Sequence, residues 1–360
     1  VATLDAQPAP LSGVAEELAE INRQQSSNLA GGAVLRQRAG ENGLSRLMDV
    51  ETPLEGRIRA GNGQLVVTAT PVMLDAGTAT NSASTRARFG AGFAQSSSPA
   101  DIGAQSASGV GLSVGYSSRS LQADVGVTPI GFRERNVVGG LQYNGNLTDQ
   151  TSYSLAVTRR AVTDSLLSYA GARDASAGLE WGGVTANSAR ATLGWDDGTS
   201  GLYANGQFQY LDGHHVQANY AGKIGGGFYG RVYNDANQTL TVGLNTTLMR
   251  YTKNQSYFTY GQGGYFSPQQ YIIVNLPIEY IGRNGAFTYA IKNSIGIQHY
   301  HLNAASYFPL DPGRQQAAAA NMASKNDAAL DANAVYPGQS KTGLAYSLAL
   351  AGEYQLSPRL

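Results

Sequence analysis

The sequence predicts an all-β transmembrane protein, an antiparallel up-and-down β-barrel of the outer-membrane type. From about residue 45 onward, apolar and polar side chains alternate with a period of two, the period of a β-strand with two different faces. The alternating segments are mostly about ten residues or longer, and a tilted strand needs about 9–11 residues to cross a bilayer. Short and long connections alternate along the chain, as periplasmic turns and extracellular loops do in such barrels.

The composition excludes several other classes of protein. The 360 residues include 45 Gly and 14% charged side chains, whereas soluble domains average about 7% Gly and about 25% charge. The 42% hydrophobic content and 21 Tyr argue against disorder. No apolar run reaches the ~18 residues of a membrane helix. Lys+Arg and Asp+Glu balance at 25 each, so no net field recruits nucleic acid, and the lack of Cys excludes disulfides and thiolate metal sites.

Residues 11–27 form the one segment with helical periodicity. Leu11, Val14, Leu18 and Ile21 recur at helical spacing. This helix either docks on the rest of the chain or is the last helix of a helical domain upstream. The chain begins without an initiator Met, so we expect a mature form or an excised fragment.

About fourteen strands are predicted, and the alternation is clearest in 200–211, 238–251 and 286–300. The other strands are expected at 46–58, 64–74, 84–94, 108–117, 119–128, 135–147, 151–160, 186–196, 213–234, 269–282 and 342–355. A soluble β-sandwich would expose a charged face. Here the polar faces carry Gln, Asn, Thr, Ser, Gly and Tyr, which is typical of a hydrated lumen.

The connections predict the orientation of the barrel. Tight polar turns are expected at Leu147–Gln150, Asp196–Thr199, Asn234–Asn237, Arg283–Gly285 and Ser357–Arg359. Long connections are expected at 161–185, 252–268 and 301–341. With short turns in the periplasm, the alternation places the N-terminal helix in the periplasm. The long connections are candidates for closing the outer end.

Two motifs suggest enzymes but do not occur in the required context. The string GLSVG at 111–115 matches the G-x-S-x-G nucleophile elbow, but it lies inside an alternating strand instead of a strand-to-helix turn. The string GGGFYG at 225–230 matches G-x-G-x-x-G but opens no helix. We therefore predict no catalytic residue and no cofactor.

The four histidines fall in two groups, His214–His215 and His299 with His301. Histidines two residues apart on a strand can share a metal ion, and histidines at a barrel rim serve in some outer-membrane hydrolases. No carboxylate or Ser completes such a constellation in the sequence. Ordinary polar residues at strand ends are the favoured interpretation, and no metal site is predicted.

Lumen-facing side chains are the candidate functional residues. Alternation directs charged residues of both signs inward, which argues against strong ion selectivity. They are Glu51, Glu55, Arg57, Arg86, Arg88, Asp124, Arg190, Glu279, Lys292 and Glu353. Salt bridges across the lumen and contacts with a substrate are equally favoured roles. Tyr203, Tyr251 and Tyr300 lie on the polar side, and Tyr203 is followed by Asn205 and Gln207.

An aromatic face beside amide groups can stack on sugar rings and hydrogen-bond their hydroxyls. Wall packing or a place in an interfacial aromatic girdle are the alternatives for the three tyrosines. The lumen-lining candidates for sugar contact are therefore these tyrosines, the two amides and the inward charges.

Four strings are similar to one known family. They are GLSRLMDVETPLE at 43–55, VTATPVMLDAG at 67–77, VTPIGF at 127–132, and the 152–168 segment with VTRRAVTDS at 157–165. The chain resembles, over nearly its whole length, the C-terminal part of the cellulose synthase operon protein C family. No generic barrel requires these strings, so the resemblance is specific.

The resemblance implies an outer-membrane channel that exports cellulose, a β-1,4-glucan, in Gram-negative bacteria. It implies a sixteen-stranded barrel after a periplasmic array of tetratricopeptide repeats, with an inner-membrane cellulose synthase complex as partner. Residues 1–43 then look like the end of the repeat region and a connector, and 44–360 like the barrel, its last hairpin expected to be missing. The chain lacks a phosphate-binding loop, so conduction is expected to be passive. A general diffusion porin is the alternative.

Overall fold

The computed structural model describes residues 27–285 and 287–354, which form one large antiparallel sheet and two small ones. The strands are β1 Asn28–Gly31, β2 Val34–Arg38, β3 Leu47–Glu51, β4 Leu54–Ala60, β5 Gly63–Thr78, β6 Phe89–Gly90, β7 Ala104–Ser117, β8 Leu121–Ile130, β9 Val137–Asn146, β10 Thr151–Ala161, β11 Ala172–Asp174, β12 Leu179–Asp196, β13 Ser200–His214, β14 Val216–Asn234, β15 Gln238–Tyr251, β16 Phe258–Thr259, β17 Gln270–Asn284, β18 Phe287–Leu302, β19 Ala305–Ser306, β20 Val335–Tyr336 and β21 Gln339–Tyr354. The helices are α1 Ala83–Ala87, α2 Leu166–Ala170, α3 Pro312–Ala323 and the 3₁₀-helix Gly92–Ala94. Within the described ranges, every helix is too short or too polar to cross a bilayer.

The 17 strands of the large sheet correspond to fourteen wall strands. Each wall strand pairs antiparallel with the next wall strand along the chain, from β1 to β21. β1 and β2 together make up the first wall strand, and β3 and β4 make up the second. Each of these two strands has a short break, and the two breaks lie next to each other. Pro53 lies in the second gap and has no N–H for the ladder, and its carbonyl accepts from Gly32 N at 3.0 Å. β11 belongs to a loop. The predicted up-and-down antiparallel wall is confirmed.

The agreement with about fourteen predicted strands hides two compensating errors. The segment 84–94 is not a wall strand, because it contains α1, the short β6 and the 3₁₀-helix. The Ser82 side chain caps α1, and Gly90 and Gly92 adopt φ of +56° and +48°, which end any extended run. The wall strand over 28–38 was not predicted, since its two halves are too short for a clear alternation.

The two faces of the wall differ as predicted. One face carries exposed, large apolar side chains, for example Leu202 and Phe208 on β13, Ile224 on β14 and Ile297 on β18. This pattern continues around the wall and matches the apolar outer belt of membrane barrels. Phe208 stacks on Tyr220 with 6.1 Å between ring centroids, on this same face.

The two ends of the wall also differ. Short turns join the strands at one end, at 147–150, 197–199 and 235–237. They fall within the turns predicted at 147–150, 196–199 and 234–237. The longer connections lie at the opposite end, at 39–46, 79–103, 131–136, 162–178, 252–269 and 303–338. β13 and β14 are an exception, since the single residue His215 (φ +50°) joins them at the long-loop end. The predicted helix at 11–27 and the predicted turn at Ser357–Arg359 lie outside the described residues, apart from Ser27. The side chain of Glu353, predicted to face the lumen, lies outside the described part as well.

Four long connections fold together into what we call the cap, defined as 79–103, 162–178, 252–269 and 303–338. β6 pairs in parallel with β16, and the Asn321 side chain of α3 donates to the Phe93 carbonyl at 2.8 Å. The three apolar clusters of buried residues all contain cap residues. Inward-facing Leu211 and Tyr251 are buried together with Leu167 and Tyr265 of the cap. The cap therefore fills the lumen at the long-loop end.

The described sheet has two edges. β1 and β2 pair on one side only, with β4 and β3, and β21 pairs only with β18 in the described ranges. A cavity under the cap is lined by Arg38 of β2 and by Gln339 of β21, so it borders both edges. The expectation of a further hairpin stays a prediction.

Candidate functional site

The lumen wall below the cap carries rows of uncharged polar side chains. Tyr203, Gly227, Asn245, Asn275 and Gly296 are consecutive register partners across β13, β14, β15, β17 and β18. The next row toward the cap contains Asn205, Gly225 and Thr247. We call Tyr203, Asn205, Asn245, Thr247 and Asn275 the lumen band. All five are half-buried. They lie four or more residues below the level of Tyr251, which corresponds to roughly 13–20 Å at about 3.3 Å per residue.

Glycines give the lumen band its shape. A Cβ at Gly227 would lie 2.2 Å from Asn245 Oδ1 and 2.7 Å from the Leu244 carbonyl. A Cβ at Gly225 would lie 3.2 Å from Asn205 Oδ1. The missing side chains therefore leave space in which the amides lie along the wall. Amide and hydroxyl groups both donate and accept hydrogen bonds, as the hydroxyls of a sugar chain require.

Charged side chains on the lumen face pair along the wall instead of across the lumen. Arg160 donates to both oxygens of Asp124, at 2.6 and 2.5 Å, over the intervening Gly140, where a Cβ would lie 3.0 Å from Arg160 Nη2. Lys292 Nζ lies 2.6 Å from Glu279 Oε1, and these two are register partners on β18 and β17. Each of these two pairs neutralises its charges locally, without a partner on the opposite wall.

The first wall strands show the same local pairing. Arg57 donates to Glu55 of the same strand at 2.5 Å. Arg36 faces Asp49 in the ladder, donates to it at 2.6 and 2.9 Å, and also donates to Glu51. Cross-lumen salt bridging was one of the two roles considered for the inward charges. In the described structure Glu51, Glu55 and Arg57 do not form such bridges, since their partners lie on the same or the adjacent strand.

Arg86 and Arg88 do not belong to the wall, because their segment is helical. Arg88 donates to both oxygens of Glu41 at 2.7 Å, and Arg86 Nη1 lies 3.2 Å from Asp101 Oδ1. Glu41 sits in the connection between β2 and β3. The Arg88 pair thus ties the cap to the first wall hairpin, which corrects the prediction of two lumen-lining arginines.

Tyr251 and Tyr300 point inward as predicted but contact the cap instead of the open lumen. Tyr251 is 9% exposed, and its ring centroid lies 6.1 Å from that of Tyr265. The Tyr300 ring meets the edge of Phe266 at 5.2 Å. Of the three predicted tyrosines, Tyr203 stands on the lumen band. The cap was not visible to local periodicity.

Arg190 and Gln207 are register partners on β12 and β13, one row closer to the cap than Asn205. Lys223 of β14 extends this row, opposite Gln207. The row lies between the lumen band and the underside of the cap. Arg190 and Gln207 thus lie on the predicted face of the wall.

The histidines occupy the long-loop rim and make pairwise contacts. His214 Nδ1 lies 2.7 Å from Glu134 Oε1, and His215 Nδ1 lies 3.0 Å from the Glu180 carbonyl. His299 pairs with the Thr342 hydroxyl at 2.7 Å. In the part of the chain that the structure describes, no three His, Cys, Asp or Glu side chains come together as a metal site would need.

The two enzyme-like motifs lie inside wall strands. Ser113 is in the middle of β7, in register with Thr68 and Gly126, so it does not occupy a strand-to-helix turn. The 225–230 string lies within β14. Neither string has the local geometry of its motif.

A polar cluster at the short-turn end was missed at the sequence level. Arg231 donates to Asp196 at 3.0 and 2.7 Å, and the Tyr229 hydroxyl donates to the same carboxylate. Gly201 leaves room for the Tyr229 ring, because a Cβ there would lie 2.3 Å from it. Strand parity could have found this cluster, since all three side chains face inward.

A stack of three tyrosines within the cap was also missed. Tyr257 stacks on Tyr336 with 3.6 Å between centroids and 4° between ring planes, and Tyr336 stacks on Tyr307 at 4.0 Å and 20°. Tyr336 is 3% exposed. Burial raises the pKa of Tyr307 to about 12 and the pKa of Tyr336 well above 10, so both hydroxyls stay neutral in the closed cap.

Comparison with known proteins adds a family to this geometry. The family model described as the C-terminus of cellulose synthase operon protein C matches residues 45–360. Cellulose synthase operon protein C of Pseudomonas fluorescens is 38% identical over 353 residues, which cover 97% of this chain and 26% of that protein. The protein of the same name from Xanthomonas axonopodis is 32% identical, over 97% of this chain and 32% of that protein. The chain thus spans about a quarter to a third of these relatives.

A solved structure, a bacterial polysaccharide outer membrane secretin, overlaps 77% of this chain and 80% of its own chain. Its TM-score is 0.49 at 12% sequence identity.

Proposed function

Because the chain belongs to the cellulose synthase operon protein C family, we propose that it forms an outer-membrane pore through which nascent cellulose passes to the cell surface. The observation that carries this proposal is the lumen band, an uncharged polar strip on the same wall where Asp124 pairs with Arg160 and Glu279 pairs with Lys292. Cellulose is linear and uncharged. A wall of weak hydrogen bonds and one aromatic face suits it better than charged side chains would.

The lumen band would act by many weak contacts. A tight site would stall a moving polymer, since favourable entry must be matched by easy exit. Asn205, Asn245 and Asn275 can exchange hydrogen bonds with successive hydroxyls, and Tyr203 can pack its face on a glucose ring. The chain lacks a phosphate-binding loop, so polymerisation at the inner membrane would drive the movement, and the wall would act by passive conduction without catalysis.

The remaining parts of the proposal concern the surroundings. The short-turn end would face the periplasm, as the short turns of outer-membrane barrels do. β1 begins at this end, because Asn28 is in register with Arg57 near the first short turn. The apolar outer belt would contact outer-membrane lipid. The relatives are about four times as long as the chain, which leaves room for a periplasmic repeat domain and for coupling to a cellulose synthase complex.

The test removes the gene from a cellulose-producing host and restores it as wild type or as a variant. Asn245→Leu with Asn275→Leu replaces two amides of the lumen band with side chains of similar size. We expect surface glucan to fall several-fold while glucan accumulates in the periplasm. Asn293→Leu is the matched control, because Asn293 is exposed on the outer face of β18, and it should secrete normally.

Barrel assembly is checked by heat-modifiable migration on gels. Unchanged surface cellulose after gene deletion would refute cellulose export. Normal secretion by the double variant would refute the role of the lumen band. Ready uptake of small solutes without a synthase would favour a general diffusion porin instead.

A further inference from the structure

The cap segment 303–338 folds as a unit of its own. β19 and β20 close its neck, with Ala305 facing Tyr336 and Ser306 facing Val335. Asp311 caps α3, and the Gln315 side chain donates to the Ala334 carbonyl at 2.9 Å. Its inner side is packed with Phe308, Ala318, Met322, Leu330 and Ala334, all buried, and the same apolar cluster includes Ala87 and Phe93 of the cap segment 79–103. We call 303–338 the lid.

The cap segment beneath the lid is fastened to the wall. The buried Asn219 of β14 donates to the Lys253 carbonyl at 2.8 Å and accepts from the Lys253 amide at 3.0 Å. Gln217 N donates to the Gly261 carbonyl at 2.8 Å, and Tyr251 N donates to the Pro268 carbonyl at 2.8 Å. Bonds at both ends and in the middle thus hold 252–269 against the wall. We call this segment the seat.

The lid rests on the seat through hydrogen bonds, a cation–π contact and one aromatic stack. Asn303 of the lid accepts from the Asn254 side chain at 2.7 Å, and Arg314 lies 5.1 Å from the centre of the Tyr260 ring. Thr259 of the seat donates to the Tyr307 carbonyl and accepts from the Tyr336 hydroxyl at 3.3 Å. Gln262 donates to the Ser306 carbonyl at 2.8 Å. Between them, Tyr257 of the seat stacks on Tyr336 of the lid. The lid is therefore a folded unit joined to the wall by its two ends and held down by contacts with the seat and the neighbouring 3₁₀-helix.

We propose that the lid lifts as one body from the seat, and that the Tyr257–Tyr336–Tyr307 stack is both its latch and a binding site for glucose rings of the emerging chain. The second part of this inference rests on the proposed function. In the closed cap, Tyr257 and Tyr336 are in contact at 3.6 Å, so no sugar ring fits between them. Lifting the lid separates the two faces, and each exposes a flat apolar surface at the exit.

The exchange of partners explains why the latch is aromatic. A tyrosine face packs on the C–H face of a sugar ring as it packs on another ring. When the lid lifts, the tyrosines lose their contacts with each other. A glucan chain at the outer end of the channel can replace these contacts by packing on the same tyrosine faces. Opening is then favoured when the polymer is present and unfavoured when the channel is empty, which keeps the empty barrel sealed.

The first experiment locks the lid to the seat. The chain has no Cys, so two introduced cysteines are the only thiols of this chain. Tyr257→Cys with Tyr336→Cys places one thiol on each side of the latch, and a short bis-methanethiosulfonate reagent bridges them reversibly. Ser306→Cys with Val335→Cys is the matched control, because these two residues are partners within the lid.

Single-channel conductance and surface glucan are the readouts. Without the bridge, the latch variant should open more often than wild type, because the stack is gone. Bridging should suppress openings and lower surface glucan at least tenfold, and dithiothreitol should restore both. The bridged control should behave like its unbridged form. Equal conductance and secretion with and without the latch bridge would refute the proposal that the lid must lift for the channel to open.

Ion conductance can be measured without glucan, so it tests the opening of the lid independently of cellulose export. If bridging suppresses openings while deletion of the gene leaves surface cellulose unchanged, the proposal of an opening lid is supported and the proposal of cellulose export is refuted. If the latch variants do not fold, Tyr336→Phe and Tyr336→Ala decide the matter. Phe keeps the stacked ring and should stay closed, whereas Ala should open more often, and equal opening of the two would contradict the latch.

The second experiment tests the glucose-binding role with cellohexaose added on the cap side of conducting channels. The current should be blocked in discrete events. Tyr257→Phe keeps the flat face and should preserve the duration of these events, whereas Tyr257→Leu should shorten it several-fold. Equal durations in the two variants would overturn the stacking site.

Discussion

The lumen band and the cap occupy the same barrel but are built in opposite ways. Residues of the lumen band are half-buried and uncharged, Gly225 and Gly227 lie among them, and the backbone ladder holds them in place. In the cap, by contrast, Phe89 and Tyr260 each pack against the buried ring of Trp181 of β12, in an apolar cluster. A change on the wall should therefore alter what passes, and a change in the cap should alter whether anything passes.

The largest effect is expected from Trp181→Ala. Trp181 is completely buried between wall and cap, with its ring centroid 5.3 Å from that of Phe89 and 6.1 Å from that of Tyr260. Removing a buried Trp costs about 3–5 kcal/mol. The cap should loosen while the wall still assembles, so open-channel conductance and protease cleavage within the cap should both rise. A barrel that fails to assemble would show that wall and cap are not separable.

A smaller effect is expected from Gly227→Ala on the wall. The new Cβ would meet the Leu244 carbonyl at 2.7 Å and displace the Asn245 amide, and overpacking of this kind costs about 1–3 kcal/mol. Glucan secretion should fall, while the frequency of cap opening stays that of wild type. Gly206→Ala on β13 is the matched control, because its Cβ would have no heavy atom within 4 Å. Equal secretion by both variants would contradict the shaping role of Gly227.

The smallest effect is expected from alkaline pH. Burial raises the pKa of Tyr307 from 10.0 to about 12, so the neutral phenol favours the closed cap. The stability that this adds to the closed cap is complete below pH 10 and is lost as the pH rises from 10 toward 12. The loss amounts to about 1 kcal/mol near pH 11. Channel opening measured between pH 8 and 11 should increase above pH 10. The increase should be weaker in Tyr307→Phe, and an identical increase would assign the effect to other groups.

Local sequence patterns predicted the wall and failed at the cap, for a physical reason. Along β13 or β18, successive side chains alternate between the apolar outer face and the polar lumen face. The alternation is therefore visible in the sequence of the strand itself. The burial of Tyr251 depends on Tyr265, fourteen positions further on, and on Leu167 from a different loop. Parity correctly turned Tyr251 inward, but no local pattern reveals what covers it.

The error at 84–94 has the same origin. Alternating side chains occurred there by chance, and the N-cap at Ser82 and the positive φ of Gly90 decide the structure. The ion pair between Arg88 and Glu41 joins residues 47 positions apart, so its existence could be seen only after folding. Placement of Arg86 and Arg88 on the wall followed from applying strand parity to a helix.

The parallel pairing of β6 with β16 has a consequence for biogenesis. Phe89 and Phe258 are partners there although most of the wall separates them along the chain. Closing so long a loop is entropically costly until the intervening strands are in register, and contacts of this kind form late in folding. The seal across the mouth is therefore assembled last. A barrel stalled during insertion would be a leaky one, and the outer membrane would be permeable for as long as the stall lasts.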